Sequence, residues 1–425
     1  MSSTISHDKT IRIGKLKNGF TYYLKNTPDP NVEIHFLVKA GSNQEPHVQI
    51  AHLMEHMPMN STKNFKNAKA YFPERGLRPG ADMNASTGDD LTDYWAKIHP
   101  DNKELFLDVL KFFRDCAHDV NMDSTNMEDV RSAVFEEGRA NQMAPNSVAS
   151  KRLKLLHWET NYAKKKDIDV LNAIKTFRHQ TLQNFYDTWY RANFQGLTIV
   201  GNFDIDKTEE IIKKLFSALR PSPNAILTQK SDSNFFKWKN RFTTIKGDNI
   251  KRTIEVYIKR PIKIMKTQGD LEFLIITKLY NKMMANRFIR ENDNGSISSF
   301  KFTPSKYFQN FILDGPDIDV IKSSISGDSI SPVQALSKIL DENELVRRFG
   351  FSEDELKSAK SDLISGPELF DTTSINSKLS SEMADHFVSG TAILNPITHR
   401  DLIMALLKNI TVTRINGEVK EWIKP

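Results

Sequence analysis

Ile50-Ala51-His52-Leu53-Met54-Glu55-His56-Met57 is the stretch on which the reading of this 425-residue chain turns. At α-helical spacing His52 and His56 stand one turn apart, about 6 Å along the axis and about 40° around it, so both imidazoles can reach one ion. Glu55 lies three residues from His52 and next to His56, and borders the same face. That spacing lets its carboxylate sit beside a metal without binding it. The order H-x-x-E-H is the inverse of the commoner H-E-x-x-H zinc-peptidase motif.

A catalytic zinc site uses three protein ligands and keeps a position open, so two histidines leave one ligand to find. The candidate segment is Asn126-Met127-Glu128-Asp129-Val130-Arg131-Ser132-Ala133-Val134-Phe135-Glu136-Glu137. Met127, Val130 and Val134 recur at i, i+3 and i+7, which predicts a helix. Glu137 continues that register at i+10, while Glu136 is turned about 100° away. A carboxylate on the apolar stripe of a helix is costly unless paired or metal-bound. The register favours Glu137 as third ligand and leaves Glu136 as the alternative. Neutral imidazole ligands need their second nitrogen held, and Asp129, Glu136 and Glu128 are candidates for that contact.

At these residues the chain resembles the pitrilysin/insulinase family of zinc peptidases, which includes the mitochondrial processing peptidases. The family pattern is H-x-x-E-H followed some 75 to 80 residues later by a glutamate after a V-x-x-E step, here Val134-Phe135-Glu136-Glu137. The likeness covers nearly the whole chain. Arg12-Ile13-Gly14-Lys15-Leu16-Lys17-Asn18-Gly19-Phe20 is similar to the opening strand and hairpin, and Val38-Lys39-Ala40-Gly41-Ser42 to the strand before the zinc helix. Asn60-Ser61-Thr62-Lys63-Asn64-Phe65 follows the helix as N-G-T-K-N-F does in the family, and Asp82-Met83-Asn84-Ala85-Ser86-Thr87 resembles its D-x-N-A-x-T strand. Trp189-Tyr190-Arg191 and Ile199-Val200-Gly201-Asn202-Phe203-Asp204 resemble the end of the first domain. Val346 to Glu353 resembles the second domain of the large bacterial members.

The resemblance implies a zinc-dependent endopeptidase, or its catalytic half, with one zinc per chain held by His52, His56 and Glu137. It makes Glu55 the base for the water that zinc activates. It places Asn84 and Ala85 on the strand that pairs with an extended substrate, so substrates would be peptides or unfolded segments bound as an added β-strand. In the family a pair of similar domains faces a like pair. A second two-domain half, a homodimer mate or a separate subunit, is therefore expected as partner. The other reading is a catalytically silent peptide-binding or scaffold subunit of a peptidase complex. Three positions depart from the pattern. Gln49 stands where the family has glycine. Val130 stands where an acidic residue often lies seven before the glutamate ligand, and counting from Asp129 would select Glu136. The partner half's arginine and tyrosine, seven apart, find only Arg290 and Ile297 here.

Length predicts two domains of about 200 residues. Hydrophobic residues at 39% and charged residues at 26% fit a globular chain. No run of 18 apolar residues predicts a membrane span, and the start Met1-Ser2-Ser3-Thr4-Ile5-Ser6-His7-Asp8 carries no basic-then-apolar leader. The default compartment is cytoplasmic, or periplasmic if a leader has been removed. One cysteine excludes internal disulfides, and the helical spacing of Cys116 with Leu105, Val109 and Phe112 predicts a buried thiol. A net charge of +6 is modest, and Lys164-Lys165-Lys166 reads as a solvated face. No basic stripe interleaved with aromatics points to nucleic acid.

The element order predicts α+β, with each of two similar domains a mostly antiparallel sheet flanked by helices, together one half of a clamshell. The boundaries read 9–220 for the metal-binding domain, 221–240 for a Pro/Ser/Asn-rich linker and 241–425 for a metal-free domain of the same fold. Asn18-Gly19 signals a hairpin, Ile34, Phe36 and Val38 a half-buried strand, and Leu197 to Gly201 a buried one. Helices are expected near 105–116, 127–140, 182–189 and 270–290. In the second half, strands are expected near Phe242 and over Ile254–Ile258, and Ser352-Glu353-Asp354-Glu355 after Gly350 reads as a capping box. That half has only His386 and His399, and no second metal motif.

Overall fold

The structure, a computed structural model, describes residues 3–99, 102–140, 151–152, 155–156, 168–223, 242–246, 252–261, 264–290, 297–303, 318–326, 331–366, 375–394 and 399–423. The chain packs as two compact units. The first is Lys9–Thr243 with Ser374–Ser389, and the second is Met1–Asp8, Thr244–Thr373 and Gly390–Pro425. In chain order the elements of the first segment are β1 (Arg12–Lys15), β2 (Thr21–Asn26), β3 (Val32–Val38), α1 (Ile50–Asn60), α2 (Ala68–Tyr71), β4 (Met83–Thr87) and β5 (Thr92–Ile98). Then come α3 (Lys103–His118), α4 (Ser124–Ala140), α5 (Val170–Thr176), α6 (His179–Trp189), β6 (Gln195–Gly201) and α7 (Ile205–Phe216). The later elements are β7 (Thr253–Pro261), α8 (Gln268–Arg290), β8 (Ile297–Thr303), β9 (Ile318–Ser326), α9 (Pro332–Phe349), α10 (Glu353–Ser365), α11 (Ile375–Ser389), α12 (Arg400–Asn409) and α13 (Val412–Trp422).

In the first unit six strands form one sheet in the order β1-β2-β6-β3-β5-β4, antiparallel except for the parallel β2–β6 pair. Gly19, at φ +90°, closes the β1–β2 hairpin where asparagine-glycine predicted it. Val32, Ile34, Phe36 and Val38 point into one core with Leu53, Met54, Met57, Phe112, Phe113 and Cys116. Alternation puts Glu33, His35 and Leu37 on the opposite face. There α11 packs against β3 and β6. Asn376 accepts from Thr27 at 2.8 Å and donates to the Asn31 carbonyl at 3.0 Å. Ser377 donates to Glu33 at 2.9 Å. The Phe387 ring lies so close to Gly196 that a Cβ there would come within 2.9 Å of it. Covered on both faces, β6 is buried along its whole length.

The helix Ile375–Ser389, assigned by sequence order to the 241–425 domain, thus packs with the first unit. Its partners are contacts that no local pattern encodes. A reciprocal exchange involves the N-terminus. Ile5 donates from its backbone to the Lys266 carbonyl at 3.1 Å and is buried in the second core.

The second unit has a three-stranded antiparallel sheet, β7-β9-β8, among its described residues. Its core gathers Leu279, Tyr280, Met283, Ile339 and Trp422. Arg287 ties α8 to α9 and α10 through Glu342 at 3.0 Å, Glu355 at 2.5 Å and the Gly350 carbonyl at 3.0 Å. The Ser352/Glu355 capping box opens α10, after Gly350 at φ +72°. No strand forms over 242–246, and Phe242 is exposed. One β-favouring aromatic without a buried face is too little to make a strand. Lys164–Lys166, most of the 221–240 linker and the side chain of Arg290 lie outside the described residues. Among the described residues no helix is long and apolar enough to cross a membrane.

Candidate metal centre and active site

The motif helix α1 is held by contacts at both ends. At its start Glu45 accepts the Ala51 N–H at 3.1 Å, and Gln49 accepts the Leu53 N–H through its carbonyl at 2.8 Å. The loop before it is stapled to the β4–β5 turn. Ser42 and Asn43 donate backbone N–H groups to the Gly88 and Asp89 carbonyls, and Asn43 and Gln44 donate side-chain amides to Asp90. Gly41 permits that approach, because a Cβ there would meet the Gly88 carbonyl at 2.2 Å. Pro58 sits inside α1 and removes the N–H that would bond the Met54 carbonyl. The buried Tyr94 hydroxyl donates to that carbonyl at 3.3 Å and lies 2.9 Å from the Tyr190 hydroxyl.

Beyond α1, the fully buried Asp115 accepts from Thr62 Oγ1, the Asn64 N–H and the Asn64 amide, each at 2.9 Å. This fixes the turn in the Asn60–Phe65 motif. Asn126 at the head of α4 accepts from Asn60 at 2.5 Å and donates to the Asn121 carbonyl at 2.6 Å. The end of α1 is thereby tied to the start of α4. With Met127, Val130 and Val134 buried, the same helical face brings Glu137 over α1.

Three donor atoms converge there. His52 Nε2 and His56 Nε2 are 3.2 Å apart, and Glu137 Oε2 lies 3.7 Å from the first and 3.3 Å from the second. Tetrahedral ligands about 2.0–2.1 Å from a zinc ion stand roughly 3.4 Å from one another, so the trio fits a zinc-sized ion. Among the described residues it is the one group of three or more His, Cys, Asp or Glu side chains close enough to hold a metal. Burial lowers the His52 pKa against the opposing pull of Glu137. Burial, His52 and Lys69 bring His56 down to about 4. Both imidazoles are thus neutral near pH 7, the form that binds metal.

Glu55 is buried, and its Oε2 accepts from Thr87 Oγ1 at 2.6 Å. Burial raises its pKa to about 7, with Glu137 and Asp93 adding to the rise and the Thr87 bond opposing it. Thr87 ends β4, the last strand of the six-stranded sheet among the described residues. Asn84 on that strand is exposed and Ala85 half-buried. Glu136 points away and pairs with Arg139 at 2.6 Å. Asp129 is exposed, and Glu128 binds Arg131 at 2.9 Å and also pairs with His179. None of these carboxylates meets His52 or His56, because the α4 register turns them off the Glu137 face. The side chain that meets His52 Nδ1 is Gln49, at 2.8 Å. Gln49, Thr87, Asp115 and Asn126 were given no role by sequence. Thr87 and Asn126 stood inside quoted motifs, but their partners are distant in the chain.

Comparison with known proteins places this geometry. The model for Insulinase (Peptidase family M16) matches residues 21–168, and that for the Peptidase M16 inactive domain matches 176–363. The probable zinc protease PqqL of Escherichia coli is 24% identical over 97% of this chain and 45% of its own length. The chain thus spans about half the length of that relative. The uncharacterized zinc protease YmxG of Bacillus subtilis is 21% identical over 95% of this chain and 94% of its own. The crystal structure of the first half of the periplasmic protease PqqL from E. coli superposes with a TM-score of 0.82 at 21% identity, covering 99% of this chain and 91% of that one. Two family models in tandem, zinc-protease relatives and a shared fold agree: the chain belongs to the insulinase (M16) family of zinc proteases.

Proposed function

We propose that this chain is a zinc-dependent endopeptidase, or the catalytic half of one, hydrolysing peptides or unfolded segments laid along β4. The observation that carries the reading is the convergence of His52 Nε2, His56 Nε2 and Glu137 Oε2 within 3.7 Å of one another, with Glu55 on the same helix. A zinc ion held by the three would supply Lewis acidity toward a peptide carbonyl and toward water. Glu55 takes the proton of the attacking water and delivers it to the leaving amine. Its carboxylate is fixed at one oxygen by Thr87, which leaves the other free for that proton. Burial keeps its proton affinity near neutrality, so it can both accept and return the proton.

The substrate adds a strand to β4. Backbone groups at the Asn84 and Ala85 positions hold it with little demand on sequence. Because Thr87 belongs to the same strand, one element both receives the peptide and orients the base. A second two-domain half, from a homodimer mate or a separate polypeptide, would close the site over the substrate.

The test is metal content together with cleavage of a quenched peptide pool by the wild type and Glu55→Gln. Both should hold about one zinc per chain, from the three-ligand count, and only the wild type should cleave. Equal cleavage by the two removes Glu55 from the mechanism. A wild type that holds zinc and cleaves nothing, alone or mixed with a candidate second half, favours the silent peptide-binding subunit.

A further inference from the structure

We propose that Gln49 is a positioning residue for the metal, one whose side chain sets the tautomer and aim of His52 and for which the chain keeps a strained backbone. The inference rests on the zinc reading above. Gln49 has φ 76° and ψ 0°, and it is the one non-glycine residue with positive φ among the described residues. Six glycines share that region with it: 19, 76, 80, 201, 350 and 390. Glycine enters it without penalty, and a side chain with a Cβ does not. A glutamine there needs a reason.

Helix capping does not supply it. Gln49 occupies the N-cap of α1, yet its side chain makes no cap hydrogen bond. Glu45 performs that service by accepting the Ala51 N–H at 3.1 Å. The carbonyl of residue 49, which accepts the Leu53 N–H, would be present whatever the side chain. What only the glutamine provides is Oε1, 2.8 Å from His52 Nδ1. An amide oxygen is an acceptor only, so the proton of a neutral His52 must sit on Nδ1. The lone pair is then on Nε2, the atom that stands 3.2 Å from His56 Nε2 and 3.7 Å from Glu137 Oε2. The contact therefore fixes both the ring's rotation and the nitrogen it offers to a metal. It spans three residues, which the left-handed turn before the helix makes possible.

The experiment compares Gln49→Gly, Gln49→Ala and Gln49→Glu with the wild-type chain. Zinc affinity is read by chelator competition, and thermal unfolding is read on the metal-free protein. Gln49→Gly should bind zinc about 10- to 100-fold more weakly, while its metal-free unfolding temperature stays level or rises, because strain is relieved. Gln49→Ala should lose affinity and thermal stability together, since it keeps the strain without the contact. Gln49→Glu, whose carboxylate accepts the same proton, should stay within a few-fold of wild type. Wild-type affinity in Gln49→Gly overturns the proposal. So does a fall in affinity matched by lost thermal stability in that variant, or a Gln49→Glu as weak as Gln49→Gly. If the wild type holds no zinc, the peptidase reading fails, and the contact is decided without metal. Nitrogen-15 shifts of labelled histidines should place the His52 proton on Nδ1 in wild type and spread it over both nitrogens in Gln49→Gly. An unchanged tautomer in that variant overturns the positioning role.

Discussion

Glu55→Gln in the metal-free protein offers a stability test of the base that needs no turnover. Burial raises the Glu55 pKa from 4.5 to about 7 in the folded chain. A carboxyl with a raised folded pKa favours the folded state while protonated. That contribution is complete below pH 4.5, is lost as pH rises toward 7, and stays lost above it. At pH 8 the ionised side chain therefore costs the fold about 3 kcal/mol, from a shift of about 2.5 units at 1.36 kcal/mol each. Glutamine keeps the shape and an oxygen for Thr87 but carries no charge. With chelator present, the segment Ile50–Asn60 should open less readily in Glu55→Gln than in wild type. The ratio of hydrogen-exchange rates should be about two and a half orders of magnitude at pH 8, roughly tenfold at pH 5.5 and near unity at pH 4. Zinc should shrink the difference at pH 8, because a cation nearby favours the ionised form. A ratio that does not change between pH 5 and 8, or a wild type that is better protected at pH 8, would refute the account of a carboxylate held by burial.

Three further outcomes follow from single contacts. Glu137→Gln should lose the zinc that wild type retains against a chelator, and Glu136→Gln should keep it. The reverse pattern would mean that α4 presents its other face to the site. Thr87→Val removes the donor to Glu55 and should lower kcat about 10- to 100-fold, the worth of a hydrogen bond to a charged group, with zinc content unchanged. A kcat within twofold of wild type would leave Thr87 without that role. Asp115→Asn replaces a buried acceptor of three hydrogen bonds and should destabilise the first unit by about 2–4 kcal/mol. Wild-type thermal unfolding in that variant would show that the Thr62–Phe65 turn holds without it.

Helical elements were the most legible part of the fold, because an amphipathic helix writes its period into adjacent residues. Leu105, Val109, Phe112 and Cys116 are all buried on α3 as their spacing predicts. The Ser352/Glu355 box and the Asn18-Gly19 turn are equally local. Phe242 shows the limit of such signals, since strand propensity without a partner strand predicts nothing reliable. The placement of α11 was illegible for a related reason. Its apolar stripe says that it packs, but not on which sheet.

For the site, residue type and periodicity by themselves picked out His52, Glu55 and His56, and favoured Glu137 over Glu136, because each choice needs only the geometry of one helix. Of what holds those groups, the Gln49–His52 contact is local, but no periodic pattern marks a left-handed glutamine before a helix. The rest was decided by tertiary structure alone. Thr87 meets Glu55 only because β4 lies beside α1, and Asn126 meets Asn60 only because α4 crosses the same helix end. The physical reason is reach. A helix relates residues three or four apart, whereas a hydrogen bond between residues 32 or 66 positions apart exists only once the core has brought their backbones together.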